Sequence, residues 1–213
     1  MEFTADQVWG LAVEADRING GYSKEGESRY DEQTGKYEVI KTANKVMVKQ
    51  WLRENRQPSV EDTEKGREYR TFFNGYTLKA LMGNLSDFDR QALRIAQIDQ
   101  FTGKNMLEFA IVSCLPSSAR REQERTELKR EVYSSEQLTG NIGEVVRGEI
   151  EVISSRFNTN YNKHKITARM GEAFVDFWFG TDLNKGATVT VQGKIKAVRG
   201  DKTTQLNFVK IRG

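Results

Sequence analysis

Between Thr188 and Ile211 the chain reads TVTVQGKIKAVRGDKTTQLNFVKI. β-Branched residues alternate with polar ones around Gly193, Gly200-Asp201 breaks the run, and a second alternating stretch follows, a pattern that predicts a β-hairpin. Extending the same reading backwards predicts five strands, at residues 144–154, 163–170, 173–179, 188–198 and 203–210. The breaks between them fall at a polar loop 158–162, a tight Met170-Gly171-Glu172 connection, residues 182–186 and the Gly200-Asp201 turn.

Everything before this segment carries helical signals. Thr4 or Asp6 caps a first helix that places Val8, Leu11, Ala12 and Ala15 on one face and stops at Asn19-Gly20-Gly21. Residues 27–41 hold a turn-prone Asp31 to Gly35 between Tyr30 and Tyr37, which suggests a small surface hairpin. A second amphipathic helix runs from Thr42 to near Asn55, and Ser59 or Asp62 caps a third, with Gly75 as a bend. Ser86-Asp87 starts another helix. A further apolar one covers residues 106–115, with Pro116 after it. Residues 117–139 are densely charged with both signs and read as an exposed helix or linker.

The expected architecture is therefore α+β: a mainly helical domain at 1–116, a charged helix or linker at 117–139, and a five-stranded antiparallel barrel at 140–213. Charge separates the two parts. Residues 140–213 hold 12 Lys and Arg against 7 Asp and Glu, leaving 21 against 23 for residues 1–139 out of the chain totals of 33 and 30. A basic domain joined to a slightly acidic one suggests a polyanionic partner for the former.

The residues from Gly140 onward resemble the oligonucleotide/oligosaccharide-binding (OB) fold, most of all its single-stranded DNA-binding type. The resemblance rests on Gly143 and Gly148 in a bending first strand, the Gly186 to Gly193 entry into the fourth, and the closing TTQLNFVKI. It implies a five-stranded Greek-key barrel with a ligand groove between the first long connection and the last.

Alternation assigns faces within that expected barrel. Ile166 and Ala168 point inward while Lys165, Thr167 and Arg169 point outward; Val189, Val191 and Ile195 oppose Gln192, Lys194 and Lys196. In the third strand Val175, Phe177 and Phe179 share one face, and Phe174, Asp176 and Trp178 the other. Because an unpaired carboxylate is costly to bury, Asp176 is expected on the solvent side, taking Phe174 and Trp178 with it, to meet either bases or the helical domain. Arg156, Phe157, Tyr161, Lys163 and His164 are placed in the first long connection, and Arg199, Asp201 and Lys202 in the last. Phe157 and Tyr161 either stack on bases or plug the barrel end. The nucleic-acid-binding set is then Arg156, Phe157, Tyr161, Lys163, Lys165, Arg169, Trp178, Lys194, Lys196, Arg199 and Lys202.

Catalytic alternatives have less support. With one cysteine and one histidine, no disulfide within the chain and no Cys/His zinc site can form. Cys114 reads as a small buried hydrophobe. Thr102-Gly103-Lys104-Asn105 lacks the spacing of a phosphate-binding loop. Glu127-Leu128-Lys129 is a nuclease-like fragment within a charged helix, where intrahelical pairing explains it. Without a leader or a long apolar run, the expectation is a cytoplasmic or nucleoid-associated protein with no membrane contact and no cofactor. It would bind single-stranded nucleic acid, DNA before RNA, in replication, recombination or repair, with the helical domain meeting a protein of those processes or extending the groove. The rivals are a protein-interaction adaptor that docks through the barrel and a metal-dependent nuclease subunit that uses Glu127.

Overall fold

The computed structural model describes residues 1–212, and its contacts divide the chain into two units, Met1–Glu124 and Arg125–Gly213. The first unit begins with β1 (Glu2–Thr4) and α1 (Ala5–Ile18), followed by a hairpin of β2 (Glu27–Asp31) and β3 (Lys36–Lys41). Next come α2 (Asn44–Arg53), α3 (Val60–Asn74), the short α4 (Thr77–Leu81), α5 (Asp87–Ala96), β4 (Gln100–Thr102) and α6 (Met106–Val112).

Capping chemistry fixes where these helices start. Thr4 accepts from the Gln7 N–H, Ser59 from Asp62, and Ser86 forms a capping box with Asp89; each satisfies backbone donors that the first turn leaves free. The predicted starts of α1, α3 and α5 follow these side chains.

α1 is the centre of the unit. Val8, Trp9, Leu11, Ala12 and Ala15 are fully buried, and so are polar neighbours that the single-face reading leaves in solvent. Glu14 and Asp16 are buried because Arg56 and Arg120 reach them, the latter at 2.6 Å. A helix surrounded on all sides must be compensated in this way. α3 crosses α1 closely: a Cβ on Gly66 would lie 2.9 Å from the Gly10 backbone nitrogen. The short pairing of β1 with β4, which sets Phe3 opposite Phe101, has no local signature in three-residue strands.

α7 (Leu115–Ser134) runs through the boundary between the two units. Pro116 does not merely follow α6; it lies in the first turn of α7, where a missing N–H costs nothing.

The second unit closes five strands into a barrel: β5 (Val145–Asn158), β6 (Lys163–Met170), β7 (Ala173–Phe179), β8 (Thr188–Val198) and β9 (Thr204–Arg212). Their order around the barrel is β5-β6-β7-β9-β8, with β8 returning to β5. The class is α+β with a barrel compatible with an OB-like fold. The pairing is mixed, however, since β7 and β9 run parallel, Val175 opposite Thr204 and Asp176 opposite Gln205. Strand direction explains it. β8 is antiparallel to β5, the hairpin reverses β9, and β9 therefore enters beside β7 pointing the same way.

Ile150, Val152, Ile166, Ala168, Val175, Phe177, Val191, Ile195 and Leu206 fill the interior. The inward assignments for β6 and β8 hold. Among the described residues no helix is long and apolar enough to cross a membrane.

Candidate nucleic-acid interface

The first connection of the barrel is shorter than the sequence suggests, because β5 runs on through Asn158. Arg156, Phe157 and Asn158 pair with Lys165, His164 and Lys163 of β6, so these residues lie on strands and not in a loop. Alternation is interrupted at Ile153, where the β5–β6 register shifts, and the resumed pattern is invisible to a strict period of two. Only residues 159–162 turn. The Asn158 carboxamide oxygen accepts from the N–H groups of Asn160 at 3.0 Å and Tyr161 at 3.2 Å, and Asn162 closes the turn at φ +48°, a conformation Asn tolerates.

This turn projects Tyr161, which is 65% exposed, beside Trp178 of β7, with ring centroids 4.9 Å apart. The two rings, Lys163, Lys196 and the outer edge of β9 line an open groove of about 800 Å³. Phe208, which the sequence pattern does not single out, stands in the same groove.

Phe208 owes its position to a bulge. Lys194 pairs with Asn207 but Gln192 with Lys210, so Phe208 and Val209 together oppose Gly193. Gly193 permits this: a Cβ there would lie 3.1 Å from Val209 Cγ2. Phe208 takes φ +54° and is 80% exposed. The signal lay in the spacing of Leu206, Val209 and Ile211, which all pack toward the core. That spacing breaks period two and marks a bulge.

The remaining predicted residues fall elsewhere. Phe157 and His164 face each other at 5.2 Å, on the inward parity of Ile166. There His164 Nδ1 lies 3.3 Å from both Ser155 Oγ and Asp182 Oδ1, and Ser155 donates directly to Asp182. A proton relay from serine through histidine to carboxylate needs both ring nitrogens; here one nitrogen faces both partners.

Lys165 and Arg199 converge on Asp176, at 3.4 and 2.8 Å. Asp176 is only 3% exposed, so the expectation of a solvent-facing Asp176 with Phe174 beside it is corrected. Two cations meet its Oδ2 and offset part of the cost that kept it outside, while Oδ1 is buried with no hydrogen-bond partner among the described residues. Phe174 is 2% exposed and lies under the Arg169 guanidinium, 5.3 Å from the ring centre; Arg169 in turn pairs with Glu131 at 2.8 Å. Lys202 donates to the Ser135 carbonyl. Leu128, Lys129, Val132 and Tyr133 of α7 complete the small cavity around Asp176, about 160 Å³. Arg156 and Lys194 are exposed on strands outside the groove. The structure thus brings Tyr161, Lys163, Trp178 and Lys196 together with Phe208, while Lys165, Arg169, Arg199 and Lys202 are engaged within their own unit.

Burial pushes the Cys114 thiol up to about 11, which keeps it protonated at neutral pH. Among the described residues no group of His, Cys, Asp and Glu is arranged to hold a metal ion. Comparison of the chain with protein-family models, curated proteins and solved structures found no match.

Proposed function

We propose that the barrel groove holds a single strand of nucleic acid, with Tyr161, Trp178 and Phe208 stacking on bases and Lys163 and Lys196 meeting phosphates. The observation that carries this reading is the composition of one open groove: four aromatic residues, Tyr161, Trp178, Phe208 and the half-buried Phe179, and two lysines. Among the described residues neither lysine forms an ion pair. Bases of any sequence can stack on such rings, at about 1–3 kcal/mol each, and lysines follow the phosphates.

Phe208 supports it further. An exposed aromatic at positive φ costs backbone free energy, on the order of 1–3 kcal/mol for strained residues, and recovers none of it by burial. Such strain is kept where a ligand uses the side chain. The proposal extends to a non-catalytic accessory role on single-stranded DNA in replication, recombination or repair.

Fluorescence anisotropy with a labelled single-stranded oligonucleotide across a salt series tests the reading. Tyr161→Ala, Trp178→Ala and Phe208→Ala should each weaken binding by about 5- to 150-fold, the equivalent of one lost stacking contact. No binding of the unaltered protein at low salt refutes it.

A protein-docking reading draws on a different observation, in the helical unit. Leu78, Leu81 and Met82, on and just after α4, are all exposed. Capture of a partner that survives nuclease treatment and is lost with Leu78→Ser/Leu81→Ser would favour that reading for the helical unit.

A further inference from the structure

Helix α2 contains three charged residues, all basic: Lys45, Lys49 and Arg53. Spaced four apart, they lie on one face and follow each other at intervals of about 6 Å. Like charges at this spacing repel, at about 0.2–0.5 kcal/mol per pair, and Lys45 sits in the first turn, where the helix dipole opposes a cation. No acidic residue in that turn relieves it.

Elsewhere in the same unit several arginines are neutralised: Arg17, Arg56, Arg67, Arg94 and Arg120 each pair with a carboxylate. Among the described residues none of the three α2 cations forms an ion pair. The helix therefore carries a concentrated charge that its own unit leaves unanswered.

That charge borders a concave surface. Lys49, Arg53 and Phe109 line two adjoining grooves, of about 270 and 370 Å³; Lys104 joins the first and Lys45 the second. No carboxylate lines either. Lys104 belongs to the Gly103-Lys104 fragment whose spacing failed as a phosphate-binding loop, and here it adds a fourth cation from outside the helix.

We propose that this face of the helical unit is a second polyanion-binding surface, which takes the phosphodiester backbone of a nucleic acid along Lys45, Lys49, Arg53 and Lys104. Charge complementarity selects the occupant. An anionic membrane is a poorer fit, because interfacial helices must offer an apolar face to lipid, and Val48, Trp51 and Leu52 of α2 are buried in their own core. The inference does not depend on the barrel groove, and the experiment separates the two.

The full-length protein, the Lys45→Gln/Lys49→Gln/Arg53→Gln variant and the Tyr161→Ala/Trp178→Ala/Phe208→Ala variant are titrated with a labelled 40-nucleotide single strand between 50 and 200 mM salt. Each lost phosphate contact should lower the slope of log affinity against log salt by about 0.7, so the α2 variant should lose about 2 in slope and at least about tenfold in affinity at 50 mM. Lys45→Arg/Lys49→Arg, which keeps the charge, should bind as the unaltered protein does; circular dichroism confirms that each variant is folded. An unchanged slope and affinity in the α2 glutamine variant overturns the proposal. So does a loss seen only in a parallel titration with vesicles containing phosphatidylserine and not with the oligonucleotide. If the aromatic variant binds normally while the α2 variant fails, the barrel reading falls and this one stands; the reverse result leaves only the barrel.

Discussion

Phe208 sets two demands against each other at a single residue. Its ring is exposed in the groove and its backbone is left-handed, so substitution by glycine removes the stacking surface while relieving the backbone. Glycine adopts φ > 0 without penalty. Phe208→Gly should therefore leave stability unchanged or raise it by up to ~1 kcal/mol in chemical denaturation, while weakening oligonucleotide binding by at least about fivefold. A residue kept for folding would show the opposite, a loss of stability with binding intact. Asp62 illustrates a structural role at the same scale. It is buried in the first turn of α3, where it accepts from the hydroxyl of the Ser59 cap and receives two hydrogen bonds from Arg17, at 3.2 and 2.9 Å. Burial raises its pKa, but the bonds from Arg17 and Ser59 outweigh burial and hold the carboxyl below its ordinary 3.8. A depressed carboxylate contributes stability that is complete above the unfolded pKa and disappears as pH falls through the folded one. Asp62→Asn should cost about 1–3 kcal/mol at pH 7, and the gap between variant and parent should narrow below about pH 4. Urea denaturation of both proteins from pH 7 to pH 3 measures this.

Among the elements, close approach of α1 and α3 depends on two glycines facing each other. A Cβ at Gly66 would meet backbone atoms of Trp9 and Gly10 at 3.0 and 2.9 Å, and backbone cannot swing aside as a side chain can. Overpacking of about 1–3 kcal/mol outweighs the ~1 kcal/mol that alanine gains in helix propensity. Gly66→Ala should therefore lower the denaturation midpoint, with oligonucleotide binding retained wherever the protein stays folded. Elements were legible in the sequence where the local pattern was intact. β6, β7 and β8 fall on their predicted residues because their alternation is unbroken, and α1, α3 and α5 start at caps that the sequence spells out. What was hidden depended on distant partners or broken periodicity. The face of β7 was misjudged because the cations that neutralise Asp176 come from β6 and from the turn after β8. Of the outward basic residues Lys165, Arg169, Lys194 and Lys196, two are engaged for related reasons: Lys165 serves Asp176, and Arg169 serves Glu131. The groove itself was half legible. Tyr161, Lys163, Trp178 and Lys196 were identified, but Phe208 reaches them only through a bulge that shifts β9 by one residue.

For the whole molecule, net charge is a poor guide to where unpaired cations lie. The chain carries +3 overall, and the sequence assigns the excess to the barrel, yet several barrel cations are engaged there and a set of unpaired ones lies on α2 in the helical unit. Counting available cations gives a different forecast from counting charge. The barrel groove offers Lys163 and Lys196; the helical surface offers Lys45, Lys49, Arg53 and Lys104. If both surfaces engage one long single strand, about six phosphates are neutralised, and the slope of log affinity against log salt should approach about −4. If the barrel groove acts alone, two contacts leave a slope near about −1.4. An oligonucleotide that engages one surface at a time should give a slope near about −1.4 on the barrel groove or about −2.8 on the helical surface, both shallower than about −4, so comparing an 8-mer with a 40-mer across the same salt range distinguishes the cases. A steep slope for the long strand, reduced to the shallow one by Lys45→Gln/Lys49→Gln/Arg53→Gln/Lys104→Gln, would mean that affinity is set by the chain as a whole. Equal slopes for the two lengths would confine binding to a single surface.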